Sequence, residues 1–163
     1  MNFRIGQGFD THQWVAQRPL ILGGITIPHT LGLLGHSDAD VLVHAIMDAL
    51  LGAAGMGDIG LHFPDRDPTF KGADSCQLLS HVVTLLANTG WKIVNVDATV
   101  ICERPRLAPH VPAMREKLAP LLGITRQEIN IKATTTEQLG FTGRNEGAAA
   151  MAIALLTDNR PSL

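Results

Sequence analysis

His36-Ser37-Asp38-Ala39-Asp40-Val41-Leu42-Val43-His44 opens the clearest helix of the chain, with polar groups in front and apolar ones behind. Ser37 with Asp40 three residues later resembles a capping box, and strong helix formers fill residues 41–54. Gly55-Met56-Gly57 marks the end. His44 follows Asp40 by one turn on the same face, and Asp48 lies a turn further on. Val41, Leu42, Val43, Ala45 and Ile46 surround His44, which places the imidazole in a partly buried setting. A buried neutral ring needs a partner, and a metal ion is one. A solvated polar stripe with Asp–His hydrogen bonds accounts for the same residues, so local pattern leaves both readings open.

Working outward, residues 3–9 read as a short first strand, with a polar turn expected at Asp10-Thr11-His12. Leu20-Ile21-Leu22 and Ile25-Thr26-Ile27 flank Gly23-Gly24, a hairpin signal. Residues 58–72 form a polar loop with two prolines, suited to a site loop or lid. Asp74 with Gln77 starts a second helix running to about Asn88. Val94, Val96, Ala98, Val100 and Cys102 alternate with Asn95, Asp97 and Thr99, which predicts a half-buried strand. A third helix is expected over residues 110–122, kinked or ended early by Pro120. Residues 128–134 read as another strand. Residues 147–156 fit either state: the alanines favour a helix, while Ala149, Met151, Ile153 and Leu155 fit a strand, and pattern alone tips towards helix. With no repeat and no linker, residues 1–163 read as one domain.

The composition, 45% hydrophobic and 17% charged, is that of a globular chain. A net charge of −2 and the lack of any Lys/Arg run argue against nucleic acid or anionic membranes as partners. Any phosphate bound here needs metal ions and backbone N–H groups for much of its positive field. Cys76 and Cys102 have no ligand spacing and nothing requires a disulfide, so a cytoplasmic location is the default. No signal-peptide pattern opens the chain, and no apolar run of about eighteen residues suggests a membrane span.

Asp10 and His12 are two residues apart, so in an extended segment both can reach one ion. Alone that is a weak signal; with His44 it becomes a two-His, one-carboxylate set with an open fourth position, as in catalytic zinc sites. His36 and Ser37, at a helix N-terminus, suit an anion, although a plain Ser cap explains them equally. Asp58-Ile59-Gly60 and Phe63-Pro64-Asp65-Arg66-Asp67 concentrate carboxylates that could meet a metal or sugar hydroxyls; loop solubility explains them as well. Thr134-Thr135-Thr136-Glu137 and Gly140-Phe141-Thr142-Gly143-Arg144 offer hydroxyls, a carboxylate and a cation around two glycines, a plausible phosphate and Mg²⁺ cradle. No Walker, Rossmann or nucleophile-elbow pattern is present.

Taken in order, these pieces resemble the 2-C-methyl-D-erythritol 2,4-cyclodiphosphate synthase family. The matching stretches are Gly8-Phe9-Asp10-Thr11-His12, the run from His36 to Val41 with His44, Gly57 to Gly60, Phe63 to Asp65, Phe70 to Ser75, Asn95 to Asp97, Pro109-His110, and the long run from Lys132 to Arg144. The resemblance covers nearly the whole chain. It implies an α/β (α+β) two-layer sandwich, a mixed β-sheet with helices on one face, assembled as a homotrimer with sheets facing the threefold axis. That makes residues 147–156 a strand lining the trimer, against the pattern reading.

The resemblance also assigns roles. Asp10, His12 and His44 would bind Zn²⁺, Glu137 would bind Mg²⁺ or Mn²⁺, and His36 and Thr135 would stabilise the transition state. His36, Ser37, Asp58, Ile59, Gly60, Phe63, Pro64, Asp65, Arg66 and Asp67 would hold the methylerythritol phosphate part, and Asp10 and His12 would also contact substrate. Cys102, Glu103, Arg104, Pro105, Arg106, Leu107, Ala108, Thr134, Thr135, Thr136 and Glu137 would hold the cytidine diphosphate, with Phe141 and Arg144 nearby. Sites would lie between subunits. His62 and Arg106 depart mildly from the family pattern. The implied activity is that of a phosphorus–oxygen lyase of isoprenoid precursor synthesis: a substrate 2-phosphate attacks the β-phosphorus, closes a cyclic diphosphate and expels CMP. Two alternatives are a zinc-dependent nucleotide phosphohydrolase and a non-catalytic trimeric nucleotide-binding protein. A sensor with structural zinc needs four protein ligands, and only three are found, which favours catalysis.

Overall fold

The computed structural model describes residues 2–64 and 66–158. Its first strand, β1 (Phe3–Ala16), runs straight through Asp10-Thr11-His12, where the sequence predicts a turn. Local polarity suggests a turn, but the ladder decides: Asp10, Thr11 and His12 pair with Ala150, Ala149 and Ala148 of β7 (Gly147–Asp158). β7 is therefore a strand, as the family resemblance implies and against the tilt of its alanines towards helix. The alanines serve space rather than propensity. Ala148, Ala150, Ala152 and Ala154 point inward and are buried, while Met151 and Ile153 point outward.

A short hairpin, β2 (Leu20–Leu22) and β3 (Ile25–Ile27), forms as the Gly23-Gly24 signal predicts. β4 (Leu31–Leu33) returns to pair with the end of β1. Then comes α1 (Val41–Ala54), which begins later than the Ser37 capping box suggests. Asp40 is the cap, its Oδ1 accepting from Val43 N at 3.1 Å. Its carboxylate also accepts from Gly23 N at 3.0 Å and Gly24 N at 2.7 Å, tying the hairpin to the helix. Burial, against those N–H groups, pushes the Asp40 carboxyl up to about 6. Ser37 instead accepts from Ala39 N and meets His44. Gly55, with φ +72°, closes the helix.

The chain continues through α2 (Ile59–His62), a 3₁₀ turn at Pro68–Phe70, α3 (Ser75–Asn88), β5 (Trp91–Ile101), α4 (Val111–Leu122), β6 (Ile129–Thr134) and α5 (Gly140–Gly143) into β7. Pro120 does not end α4 early; it stands in the last turn, and Gly123 in the left-handed conformation stops the helix after Leu122. The five-stranded sheet has order β4-β1-β7-β5-β6, with β5 and β6 parallel and the other pairs antiparallel. It is a mixed sheet. The buried side chains of β5, β6 and β7 join one core with those of the helices, while Phe3, Ile5, Phe9, Met151 and Ile153 stay exposed, so the helical layer lies on one face.

The layers touch closely because β1 carries glycine where α1 crosses it. A Cβ on Gly8 would lie 1.9 Å from the Ala45 carbonyl oxygen, and one on Gly6 2.0 Å from that of Ala49. Backbone on both sides leaves no flexible atom to yield. Gly8→Ala is therefore expected to cost about 3 kcal/mol or more of stability, read as a lower urea midpoint. An unchanged midpoint would contradict this close approach. The same contact sets where His44, on the first turn of α1, stands relative to β1.

Candidate metal and nucleotide site

β1 alternates, so Asp10 and His12 share the helix-facing side with Gly6 and Gly8. That side meets the N-terminal turn of α1, which carries His44. Asp10 Oδ2 lies 2.9 Å from His12 Nε2 and 2.9 Å from His44 Nδ1, and the two ring nitrogens lie 3.1 Å apart. Among the described residues these three form a group whose ligand atoms converge on one point. Ligand atoms of a tetrahedral zinc stand about 3.3 Å apart at ordinary bond lengths, so the donor set fits that ion closely.

The surrounding hydrogen bonds fit as well. His12 Nδ1 meets the Leu34 carbonyl at 2.7 Å and must donate to it, which leaves Nε2 as a bare lone pair. His44 Nε2 meets Ser37 Oγ at 3.1 Å and Ser75 Oγ at 3.0 Å. Ser75 gives its own proton to Asp38 in a short bond and so must accept from His44 Nε2, which places the ring proton there. Nδ1 is then bare too. Two lone pairs and a carboxylate oxygen facing one point call for a cation. Where ring protons rather than a cation occupy the meeting point, burial works against the charge on Asp10, but hydrogen bonds from His12 and His44 outweigh it and hold the carboxyl well below the usual range. Burial likewise opposes protonation of His12, and the Asp10 carboxylate overrides it to raise the imidazole's pKa.

A cavity of ≈ 380 Å³ opens over this set, lined by the three residues and, of those the resemblance assigns to substrate, by His36, Ser37, Ile59, Gly60 and Phe63. Gly35, Met47, Phe70 and Leu78 also line it and were not predicted. Arg18, also absent from the predicted set, fastens the loop before α1, donating to the carbonyls of Gly35 at 2.8 Å and Ser37 at 2.6 Å. His36 Nε2 meets the Asp67 carbonyl at 3.3 Å, joining that loop to residues 58–72. Asp58 and Asp67 are caps, accepting from Leu61 N and Thr69 N, and with Pro64 and Arg66 they stay outside the cavity wall. Asp65 lies outside the described residues. Asp48 accepts from Ile59 N at 2.8 Å, so it anchors α2 rather than joining the ligand set.

The downstream residues form a separate hollow of ≈ 290 Å³, lined by Cys102, Glu103, Pro105, Arg106, Leu107, Ala108, Ala133, Thr134 and Thr135. Arg104, Thr136 and Glu137 lie beside it, with Thr135 donating to Glu137 Oε1 at 3.0 Å. Burial pushes the Cys102 thiol up to about 11, which keeps it neutral. Phe141 lines a third hollow, beside Thr11 and His12, and exposed Arg144 pairs with Glu146 at 2.7 Å. The two main cavities share no residue. Register places Thr11, Ala149, Ile101 and Thr134 in one row across the sheet. The row spans three strand spacings, so the two halves stand at the same end of the sheet, about 14 Å apart at the backbone.

Comparison with known proteins agrees with this geometry. The model of the YgbB family matches residues 3–157. A protein of Geobacillus kaustophilus (strain HTA426) named 2-C-methyl-D-erythritol 2,4-cyclodiphosphate synthase is 62% identical over 154 residues, covering 94% of this chain and 98% of that protein. The bifunctional IspDF of Campylobacter jejuni superposes with a TM-score of 0.93 at 43% identity over 96% of this chain; the chain spans 42% of that larger protein. A 2C-methyl-D-erythritol-2,4-cyclodiphosphate synthase solved in a CDP-bound form superposes with a TM-score of 0.87 at 38% identity, covering 94% of this chain and all of that one. With a two-layer fold, a converging Asp-His-His set and matches of this extent, the chain belongs to the YgbB family, that of the 2-C-methyl-D-erythritol 2,4-cyclodiphosphate synthases.

Proposed function

We propose that this chain converts 4-diphosphocytidyl-2-C-methyl-D-erythritol 2-phosphate to 2-C-methyl-D-erythritol 2,4-cyclodiphosphate and CMP, as a phosphorus–oxygen lyase of the non-mevalonate isoprenoid precursor route. The observation that carries the reading is the pairing of an open three-ligand metal set with a separate Thr-rich hollow at the same end of one sheet. Relatives named for this reaction cover nearly the whole chain, and one related structure holds CDP.

The substrate brings its own nucleophile, a 2-phosphate that is anionic at neutral pH, so no side chain need act as a strong base. Its oxygen attacks the β-phosphorus, the bond from that phosphorus to the oxygen bridging the α-phosphate breaks, and CMP leaves with that oxygen. The barrier is the approach of two anions, so the protein's work is positioning and charge neutralisation. Asp10, His12 and His44 would hold Zn²⁺ and Glu137 would hold Mg²⁺ or Mn²⁺, and these ions would supply Lewis-acid charge withdrawal from the diphosphate. His36 and Ser37, at the cavity rim before α1, hold the methylerythritol phosphate with Ile59, Gly60 and Phe63, while Asp58 and Asp67 shape the loop around it. The hollow from Cys102 to Ala108 takes the cytidine, and Thr134 and Thr135 with Arg144 face its phosphates, while Thr136 holds the turn behind them.

Two features support a homotrimer with sites shared between subunits. Phe3, Ile5, Phe9, Met151 and Ile153 leave an apolar patch on the helix-free side of the sheet, each 45% exposed or more. The two site halves also stand apart within one chain. Both are served if that face packs around a threefold axis and each site joins the metal half of one subunit to the nucleotide half of the next. No helix among the described residues is long and apolar enough to cross a membrane, and the expected setting is the cytoplasm.

Water is not a reactant in cyclisation. Turnover in ¹⁸O-labelled water is therefore expected to yield CMP and cyclic product free of label, with no inorganic phosphate. Label in either product would move the chain to the nucleotide phosphohydrolase reading.

A further inference from the structure

We propose that Glu103 is a positioning residue that clamps the turn carrying Glu137, acting as a hydrogen-bond acceptor and not as a contact to substrate or metal. The proposal rests on the reading of Glu137 as the second metal ligand and specifies how its carboxylate is aimed. Leu139 N donates to the Thr136 carbonyl at 2.9 Å, closing a four-residue turn over residues 136–139. Its two central residues, Glu137 and Gln138, both have positive φ, 52° and 65°. Turns of that hand are usually built from Asn and Gly, because other side chains crowd the backbone there. Two consecutive long side chains in this conformation persist only if the surroundings hold them.

The surroundings do so at three points. Glu103, just past the end of β5, turns Oε1 onto the turn and accepts from Thr136 N at 3.0 Å and Gln138 N at 3.4 Å. The Thr136 hydroxyl donates to the Leu139 carbonyl at 2.6 Å and accepts from Thr142 Oγ1 at 2.8 Å. Gly143 packs against the far side, where a Cβ would come within 2.2 Å of the Gln138 carbonyl carbon. Of these, only Glu103 reaches the turn from another strand, beside the Cys102 N to Thr134 carbonyl bond at 3.1 Å that continues the β5–β6 ladder. The arrangement also accounts for an acidic side chain in the wall of a hollow meant for a diphosphate. A carboxylate facing that ligand would repel it, whereas here one oxygen is spent on two backbone N–H groups. Without the acceptor, Glu137 and Gln138 can relax towards negative φ and the Glu137 carboxylate swings away from its place beside Thr135.

The test compares Glu103→Gln, which keeps an acceptor oxygen and removes the charge, with Glu103→Ala, which removes both. For each, amide hydrogen exchange of Thr136 and Gln138, zinc content, and the magnesium concentration giving half-maximal turnover are measured. Glu103→Ala should exchange both amides about tenfold faster or more and need about tenfold more magnesium, with wild-type zinc content. Glu103→Gln should restore both quantities to within about threefold of wild type. If Gln is as impaired as Ala in magnesium dependence while its amides stay protected, the charge itself meets metal or substrate and the clamp is overturned. Wild-type protection of both amides in Glu103→Ala overturns it as well. Should the wild-type chain not turn over this substrate, the proposed function fails, while the exchange comparison still decides the clamp.

Discussion

Replacing His44 with Ala should empty the metal set and abolish turnover while the fold survives. His44 is buried on α1 and contributes one of the three converging ligand atoms, so its loss leaves Asp10 and His12 as a two-ligand remnant. Two protein ligands do not retain zinc against dilution as three do. The expected result is less than about a tenth of the wild-type zinc, measured by elemental analysis after gel filtration. Turnover should fall on the order of a thousandfold or more, because the diphosphate then meets no Lewis acid. Ser37 and Ser75 lose a partner at the same place, which costs about 1–3 kcal/mol and lowers the melting temperature without unfolding the chain at 25 °C. Full zinc occupancy in this variant would remove His44 from the ligand set.

Mixed trimers give the second large effect. His12→Ala spoils the metal half of a site and Glu137→Gln the nucleotide half, so either variant alone should be nearly inactive. In mixed trimers a site is intact only when its metal half comes from the Glu137→Gln chain and its nucleotide half from the His12→Ala chain. At equal amounts the chance is one half times one half, so co-refolding should return about a quarter of wild-type activity. The roughly 14 Å between the halves along the sheet row is the observation that favours a second subunit. No recovery from verified mixed trimers would place both halves in one subunit and defeat the shared site.

The parts of this molecule that were legible in the sequence are those where burial imposes a period. α3 shows the 3.6-residue pattern behind an acidic cap and the second half of β5 alternates, while α1, apolar nearly all round, is marked by helix formers between a polar start and Gly55, so the sequence places them within a few residues. The metal set was legible because its ligand chemistry is specific: Asp10 and His12 sit at strand spacing, and His44 is a polar residue in an apolar helix. β1 was cut short because a polar stretch at a strand end resembles a turn; only its pairing with Ala148 to Ala150 reveals it. The alanine-rich β7 misleads for a related reason, since the demand for small side chains comes from α1 packed above it. Asp40 displaced Ser37 as the cap because the β2–β3 hairpin supplies two more N–H groups to its carboxylate, a tertiary contact absent from the local pattern. Met47, Phe70 and Leu78 were missed because apolar residues join a site by proximity alone. Met47 stands three residues after His44, and Leu78 three after Ser75, which bonds the His44 ring, and that helical spacing is the signal available. Nothing in Glu137-Gln138 announces two left-handed residues in succession.

The most direct measurement of the account is the phosphorus NMR spectrum of the product mixture. The purified chain, loaded with zinc and supplied with magnesium, is incubated with 4-diphosphocytidyl-2-C-methyl-D-erythritol 2-phosphate until the substrate resonances disappear. Intramolecular attack on the β-phosphorus predicts the single phosphomonoester line of CMP and, in equal amount, two mutually coupled diphosphate resonances from the cyclic product. Inorganic phosphate, or CMP accompanied by two uncoupled monoester lines, would mean that water and not the 2-phosphate had attacked, and would contradict the account.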